Sequence, residues 1–201
     1  MKKAMTLILT ALFLFAFTGC LKSEQPEKTV TDFCEALKNY DVETMRLCFK
    51  ENVGQEGESP AAVFEYDEKY DDTFRNIVSQ ITYEITSTEE NEDKASVTVK
   101  FTYPDMSTTV ADIMEEYIKK IFISSFFGTE SDSSDSVEEA VESIMEKAKT
   151  TEGDKVNAEV KFECTKEKTG WLIDEMPDEM YDIATAKILK TLENVLEKLE
   201  A

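Results

Sequence analysis

The side chains in this sequence that could do chemistry include four cysteines and 43 aspartate and glutamate residues, but the 201-residue chain contains no histidine. The absence of histidine excludes Ser-His and Cys-His nucleophiles, zinc sites with imidazole ligands and a histidine general base near neutral pH. Only 22 lysines and arginines oppose the carboxylates, and a formal net charge of −21 argues against binding to nucleic acid. The side chains that remain for catalysis or binding include thiols, carboxylates and tyrosine hydroxyls.

Cys20 ends an N-terminal segment with the pattern of an export signal. Lys2 and Lys3 precede an apolar run over 5–17 that is too short to cross roughly 30 Å of hydrocarbon as a helix. The run stops at Thr18, Gly19 and Cys20, and two small residues followed by a cysteine resemble the lipobox of bacterial lipoproteins.

The lipobox resemblance implies cleavage before Cys20 and acylation of its thiol, with palmitate as a typical chain. We therefore predict a signal peptide over 1–19 and a lipidated cysteine with a polar tether over 20–26. The expected location is the extracytoplasmic face of the cell membrane, as in the lipoproteins of Gram-positive bacteria.

The other three cysteines fall on the apolar faces of predicted elements. Cys34 and Cys48 lie fourteen residues apart in a predicted helical hairpin, so a disulfide between them would close a short loop and contribute about 3 kcal/mol. Alternatively, Cys34, Cys48 and Cys164 are small buried hydrophobic side chains, as cysteine thiols commonly are. The sequence leaves both possibilities open.

These side chains must be positioned by helices followed by strands. Apolar residues at helical spacing predict helices over 27–40, 42–49 and 61–80, with Asp41 as the N-cap of the second. Apolar residues then alternate with polar ones over 81–86 and 95–103, and again over 156–164 and 171–173, which predicts two antiparallel hairpins.

Two helices, 107–127 and 136–149, are predicted between the hairpins, and a long helix over 178–200 is predicted after Pro177. The whole pattern predicts one α+β domain over 27–201, with a helical insertion at about 106–150. The first inserted helix is apolar over more than one face, so it either completes the core or offers a patch to a lipid or protein partner.

The order of these elements resembles the nuclear-transport-factor-2-like (cystatin-like, SnoaL-like) domains found in small bacterial lipoproteins. The residues that carry the resemblance are Val30 to Glu43 (VTDFCEALKNYDVE) and Gly170 to Ile173 (GWLI). The resemblance implies a bent antiparallel sheet of about four strands wrapped round helices, forming a cone with an apolar pocket. The inward-facing aromatic residues that would line this pocket are Tyr83, Phe101, Tyr103, Phe162 and Trp171.

Enzymes with this fold, isomerases and cyclases among them, use a carboxylate in the pocket as a general base. Strand carboxylates such as Glu84, Glu159 and Glu163 have outward parity here, so the one combination of base and hydroxyl donors is Asp32 with Tyr83 and Tyr103. We expect a non-catalytic module without a cofactor that binds an apolar small molecule or an envelope protein. The alternative is an isomerase or cyclase.

Acidic residues cluster at 67–72, 89–93, 131–135 and 174–182. None of the clusters has the glycine and glutamate spacing of an EF-hand loop. We therefore predict no metal site and interpret the clusters as solvated surface.

Overall fold

The computed structural model of the protein describes residues 24–50, 68–127 and 133–200. The fold is α+β. The helices are α1 (Pro26–Lys38), α2 (Val42–Leu47), α3 (Asp71–Ser79), α4 (Ser107–Phe127), α5 (Ser133–Thr150), α6 (Glu179–Ala184) and α7 (Ile188–Glu200). The strands are β1 (Thr82–Asn91), β2 (Lys94–Asp105), β3 (Asp154–Glu167) and β4 (Gly170–Ile173).

The four strands form one antiparallel sheet in the order β1-β2-β3-β4. Val99 in β2 lies between Ile85 and Val160, and the predicted alternation places its side chain on the same face as theirs. All five β2 residues predicted to face inward are buried: Ala95, Val97, Val99, Phe101 and Tyr103. The predicted strand parity is therefore confirmed in β2.

Strand β1 lies at the edge of the sheet and contains a bulge. Ile85 pairs with Val99 and Ser87 pairs with Thr98, so Thr86 is an extra residue. Tyr83 and Ile85 face the core as predicted, but they are only half-buried because no strand covers them on the outer side within the described residues.

The N-terminal helical hairpin packs on one face of the sheet. Phe33 of α1 contacts Phe49 and Phe162, with ring centroids 5.4 and 5.6 Å away. Near the start of α1, the Thr29 hydroxyl donates to the carbonyl oxygen of Trp171 over 2.9 Å. Asp41 caps α2 as predicted, because its carboxylate accepts the backbone N–H of Thr44 over 3.1 Å.

The inserted helices form an antiparallel pair, α4 and α5, which Lys120 and Glu139 link by an ion pair of 3.0 Å. The bounds of α4 match the prediction, and α5 begins three residues earlier than predicted. Helix α5 also packs on α3, where the Asn76 amide donates to the carbonyl of Ala148 over 3.2 Å. A 3₁₀ turn at Glu68–Tyr70 precedes α3, and predicted helical residues 61–67 lie outside the described residues.

The structure differs from the prediction at the C-terminus, where residues 178–200 form two helices, α6 and α7. The corner between them is a Schellman motif. The N–H of Lys187 donates to the backbone carbonyl of Asp182 over 2.8 Å, and the N–H of Ala186 donates to the backbone carbonyl of Ile183 over 3.3 Å. Ala186 and Lys187 both have a left-handed backbone conformation, with φ of 50° and 61°. The carbonyl of Ala186 accepts the N–H of Met106 over 3.0 Å, so a tertiary contact stabilises the corner.

Candidate functional site

The five aromatic residues predicted to line a pocket lie on the helix-facing side of the sheet. Phe101, Tyr103, Phe162 and Trp171 are buried and Tyr83 is half-buried. Phe101 contacts both Tyr83 and Phe162, with ring centroids 6.4 and 6.3 Å apart. The structure thus brings three of the rings into one row, and their role as ligand contacts stays a prediction.

Tyr83 forms a hydrogen bond that the sequence analysis missed. Its hydroxyl donates to Oε1 of Glu35 over 2.7 Å, and the Lys38 ammonium lies 5.7 Å from the ring centroid. Burial, together with the Glu35 carboxylate, raises the pKa of Tyr83 above its ordinary value, so the phenol remains a donor. The signal available in the sequence was the spacing of Asp32 and Glu35, which lie three residues apart on one side of α1.

Tyr103 lies beside a different set of charges. Burial raises the pKa of Tyr103, and Asp105 and Lys187 are among the charged groups near it. Asp105 accepts hydrogen bonds from the Lys187 ammonium and from the backbone and hydroxyl of Ser107. Burial alone would raise the pKa of Asp105, but these hydrogen bonds hold it below its ordinary value.

Asp32, the predicted base, is paired with neither tyrosine. Its carboxylate accepts a hydrogen bond from the Lys28 ammonium over 2.6 Å, one helical turn earlier. Asp32 does add negative charge near Tyr83. Asp32 is therefore paired with Lys28, and Tyr83 with Glu35. Tyr103 lies near Asp105. The structure does not assemble one base with two hydroxyl donors.

The three described cysteines are buried thiols, and no disulfide joins Cys34 to Cys48. The Cys48 thiol instead donates to the carbonyl of Thr44 over 3.3 Å. Burial raises the pKa of Cys34 and raises that of Cys164 to about 12. Because the thiolate is the nucleophilic form, neither of these two thiols is activated at neutral pH.

An ion-pair network surrounds Asp174 at the end of β4. Its carboxylate accepts from the Lys50 ammonium over 2.6 Å, the Thr165 hydroxyl over 2.6 Å and the Lys94 ammonium over 3.1 Å. Burial alone would raise the pKa of Asp174, but these three donors hold it below its ordinary value. The network ties the end of β4 to β2, β3 and the segment after α2.

We expect Asp174→Asn to lower the free energy of unfolding at pH 7 by about 2 kcal/mol, because the variant lacks the charge-assisted hydrogen bonds of the carboxylate. Since the folded pKa lies below the unfolded value of about 4, this stabilisation is complete above that value and disappears as the pH falls through the folded pKa. Urea unfolding measured from pH 7 to pH 2 should show that the free energies of unfolding of the variant and the wild type become equal in acid. Glu175→Gln, at an exposed neighbour, is the control, and a difference independent of pH would contradict the prediction.

A cleft of about 550 Å³ lies between α4 and α5 and is open to solvent. The lining residues are mostly of polar or charged type, but their apolar atoms form more of the cleft surface than their polar atoms: Thr109, Asp112, Ile113, Ser143, Glu146, Lys147 and Thr150. The volume lies within the range of small-molecule sites, but such sites are usually enclosed.

Helix α4 is partly buried in the core and partly exposed to solvent. Val110 and Met114 are buried in the core, whereas Phe122 is 71% exposed and Ile123 is 55% exposed. The first half of the helix thus completes the core. Its second half presents two large apolar side chains to solvent.

Within the described ranges, no group of three or more cysteine or acidic side chains is arranged to hold a metal ion. Two of the acidic clusters, 67–72 and 131–135, lie partly outside those ranges. No helix in the described part of the chain has both the length and the hydrophobicity needed to cross a membrane.

Comparison with known proteins identifies no family. No protein-family model matches the chain, and no curated protein matches it. Among solved structures, it is similar to a crystal structure from Bacillus subtilis subsp. subtilis strain 168, described as a "putative lipoprotein (ycdA)", with 16% sequence identity and a TM-score of 0.41. The match covers 85% of this chain and 48% of the other, so this chain spans about half of that protein's length.

Proposed function

We propose that the protein is a lipid-anchored lipoprotein on the extracytoplasmic face of the membrane and acts there as a non-catalytic interaction module. The lipobox-like stop at Cys20 supports the location, although residues 1–23 lie outside the described residues. Helix α1 begins at Pro26, six residues after Cys20, and six extended residues span at most about 20 Å. The module would therefore work close to the bilayer surface.

Acyl chains must provide the anchoring energy in this proposal. The chain carries a net charge of −21, and loss of Lys2 and Lys3 with the signal peptide makes the mature chain more negative still. Such a chain gains nothing from anionic lipid headgroups. Stable attachment then requires more than one acyl chain, because a single chain binds only marginally.

The observation that carries the interaction role is the exposure of Phe122 and Ile123 on α4. The rings on the inner face of the sheet contact one another, so an apolar ligand there would have to displace packed side chains. The exposed side chains of Phe122 and Ile123 need no such rearrangement to meet a partner. We therefore favour an envelope protein over an apolar small molecule as the partner.

Photo-crosslinking in the native membrane tests the interaction role. A photoreactive residue in place of exposed Glu116 on α4 should give one saturable protein adduct, and Phe122→Ser with Ile123→Ser should abolish it. The same residue in place of Glu84, on the outer face of the sheet, should give none. Adducts of equal yield at both positions, or an adduct that survives the double substitution, would overturn this assignment.

We expect Cys20→Ala to abolish incorporation of radiolabelled palmitate and to move the protein out of the membrane fraction. The thiol at position 20 is the predicted acylation site, and no helix of the described residues is long and apolar enough to cross a bilayer. Lys22→Ala, two residues away, should leave labelling unchanged. Labelled, membrane-bound Cys20→Ala protein would show that the anchor lies elsewhere.

A further inference from the structure

Helix α7 is attached to the rest of the protein mainly along α4 and at its corner with α6. Among its described side chains, Ile188 is fully buried and Leu192 and Val195 are partly buried, whereas Leu189 and Leu196 are each 41% exposed. The packing of the helix on the strands is slight. Helix α7 can therefore leave α4 without opening the sheet.

The corner between α6 and α7 is strained. Ala186 occupies the position of the Schellman motif that glycine usually takes, and Lys187 after it is also left-handed. A left-handed conformation is unfavourable for residues with a Cβ atom. Relaxing both residues favours the straightened chain by roughly 30-fold, equivalent to about 2 kcal/mol.

The sequence is compatible with a straight helix through this corner. Residues 178–200 contain no glycine or proline, and the apolar positions Ala184, Ile188, Leu192 and Val195 continue at steps of three and four. A continuous helix from Glu179 to Glu200 would be about 33 Å long. In that form α7 would project away from the α4 of its own chain.

Two interactions of the corner residues oppose straightening. Lys187 is paired with Asp105, and the N–H of Met106 donates to the carbonyl of Ala186. Lys190 of α7 is also paired with Asp182 of α6, over 2.7 Å, but an α7 helix from a second copy would form this ion pair again. The Lys187 ion pair and the strain thus act in opposite directions on one corner.

We propose that α7 is an exchangeable element, and that in a symmetric dimer each copy straightens its α6–α7 corner and packs α7 on the α4 of a second copy. A second copy is the occupant because the surface of α4 already fits α7, so the packing between the two helices within one chain is formed again between two chains. Confinement to a membrane plane would favour the exchange by raising the local concentration of the protein. Only this concentration effect rests on the proposed lipid anchor.

The test uses the full-length protein in detergent, with micelles in large excess so that shared micelles do not mimic dimers. Asp105→Asn removes the Lys187 ion pair and should raise the association constant at least about tenfold, as measured by sedimentation. Ala186→Gly relieves strain in the bent form and weakens the straight helix, by about tenfold per corner, so it should lower the association constant of a dimer with two such corners about a hundredfold. Asp32→Asn, which breaks an ion pair in α1, is the control and should leave it unchanged.

Two differently tagged preparations then distinguish exchange from surface association. Mixed dimers should form slowly under native conditions and rapidly after brief treatment with moderate urea, because α7 must first detach. Mixed dimers that form within seconds under native conditions would overturn the proposal. Association constants equal to that of the wild type in both corner variants would also overturn it. If the Asp105→Asn variant does not melt cooperatively, Ala186→Gly against the wild type decides the outcome.

Discussion

Val99→Asp should abolish the cooperative unfolding transition of the protein. Val99 is fully buried in the central strand β2, between Ile85 and Val160, with apolar side chains on its face of the sheet. An unpaired buried charge costs several kcal/mol, against a total stability of about 5–15 kcal/mol for a domain of this kind. Phe162→Asp, in β3, should have the same effect.

The control is the adjacent residue on the other face of β2. Lys100 is exposed, so Lys100→Asp should cost less than about 1 kcal/mol even though Glu84 and Glu159 lie opposite it. Thermal unfolding followed by circular dichroism compares the variants. An equal loss of stability in Val99→Asp and Lys100→Asp would mean that the register of β2 is incorrect.

Trp171→Ala should lower the free energy of unfolding by about 3–5 kcal/mol, because a fully buried indole is replaced by a cavity. Trp171→Phe should cost much less. The indole Nε1 of Trp171 is buried without a hydrogen-bond partner in the described structure, and an unsatisfied buried donor costs about 1–3 kcal/mol. Removing that donor therefore offsets part of the lost packing.

Urea unfolding followed by far-ultraviolet circular dichroism measures both tryptophan variants, since Trp171 is the single tryptophan and its fluorescence disappears in each. Trp171→Tyr serves as the matched variant, because it differs from Trp171→Phe only by a buried hydroxyl group. A Phe variant as unstable as the Ala variant would show that the indole donor carries no penalty.

The sequence was sufficient to predict the elements whose signal is local. The bounds of α4, the cap at Asp41 and the inward parity of β2 and β4 follow from the spacing of apolar residues within one element. Trp171 and Ile173 are buried as predicted. These features need no information from distant parts of the chain.

The corner at Ala186 could not be predicted in this way. Residues 178–200 have an uninterrupted helical pattern, and the bend depends on Met106 and Asp105, which are about 80 positions earlier in the chain. Here tertiary contacts override local propensity.

The candidate site illustrates the same limit. Tyr83 and Tyr103 have the predicted parity, yet their charged neighbours, Glu35 for one and Asp105 for the other, follow from three-dimensional packing. The network of Lys50, Lys94 and Asp174 likewise joins three separate segments. Spacing along the chain places a side chain on a face, but it does not identify the group on the opposite element.

The bulge in β1 has a consequence for crowding at a membrane surface. Within the described residues, β1 is a ten-residue strand at the edge of the sheet, so it offers unpaired backbone groups to a neighbouring strand, and edge-to-edge pairing of identical copies is a route to aggregation. The extra residue at Thr86 interrupts a regular edge, and Glu84, Glu89 and Glu90 would place like charges against like in a symmetric pairing. Under the proposed lipid anchor, crowded copies would thus stay side by side without polymerising through their sheets.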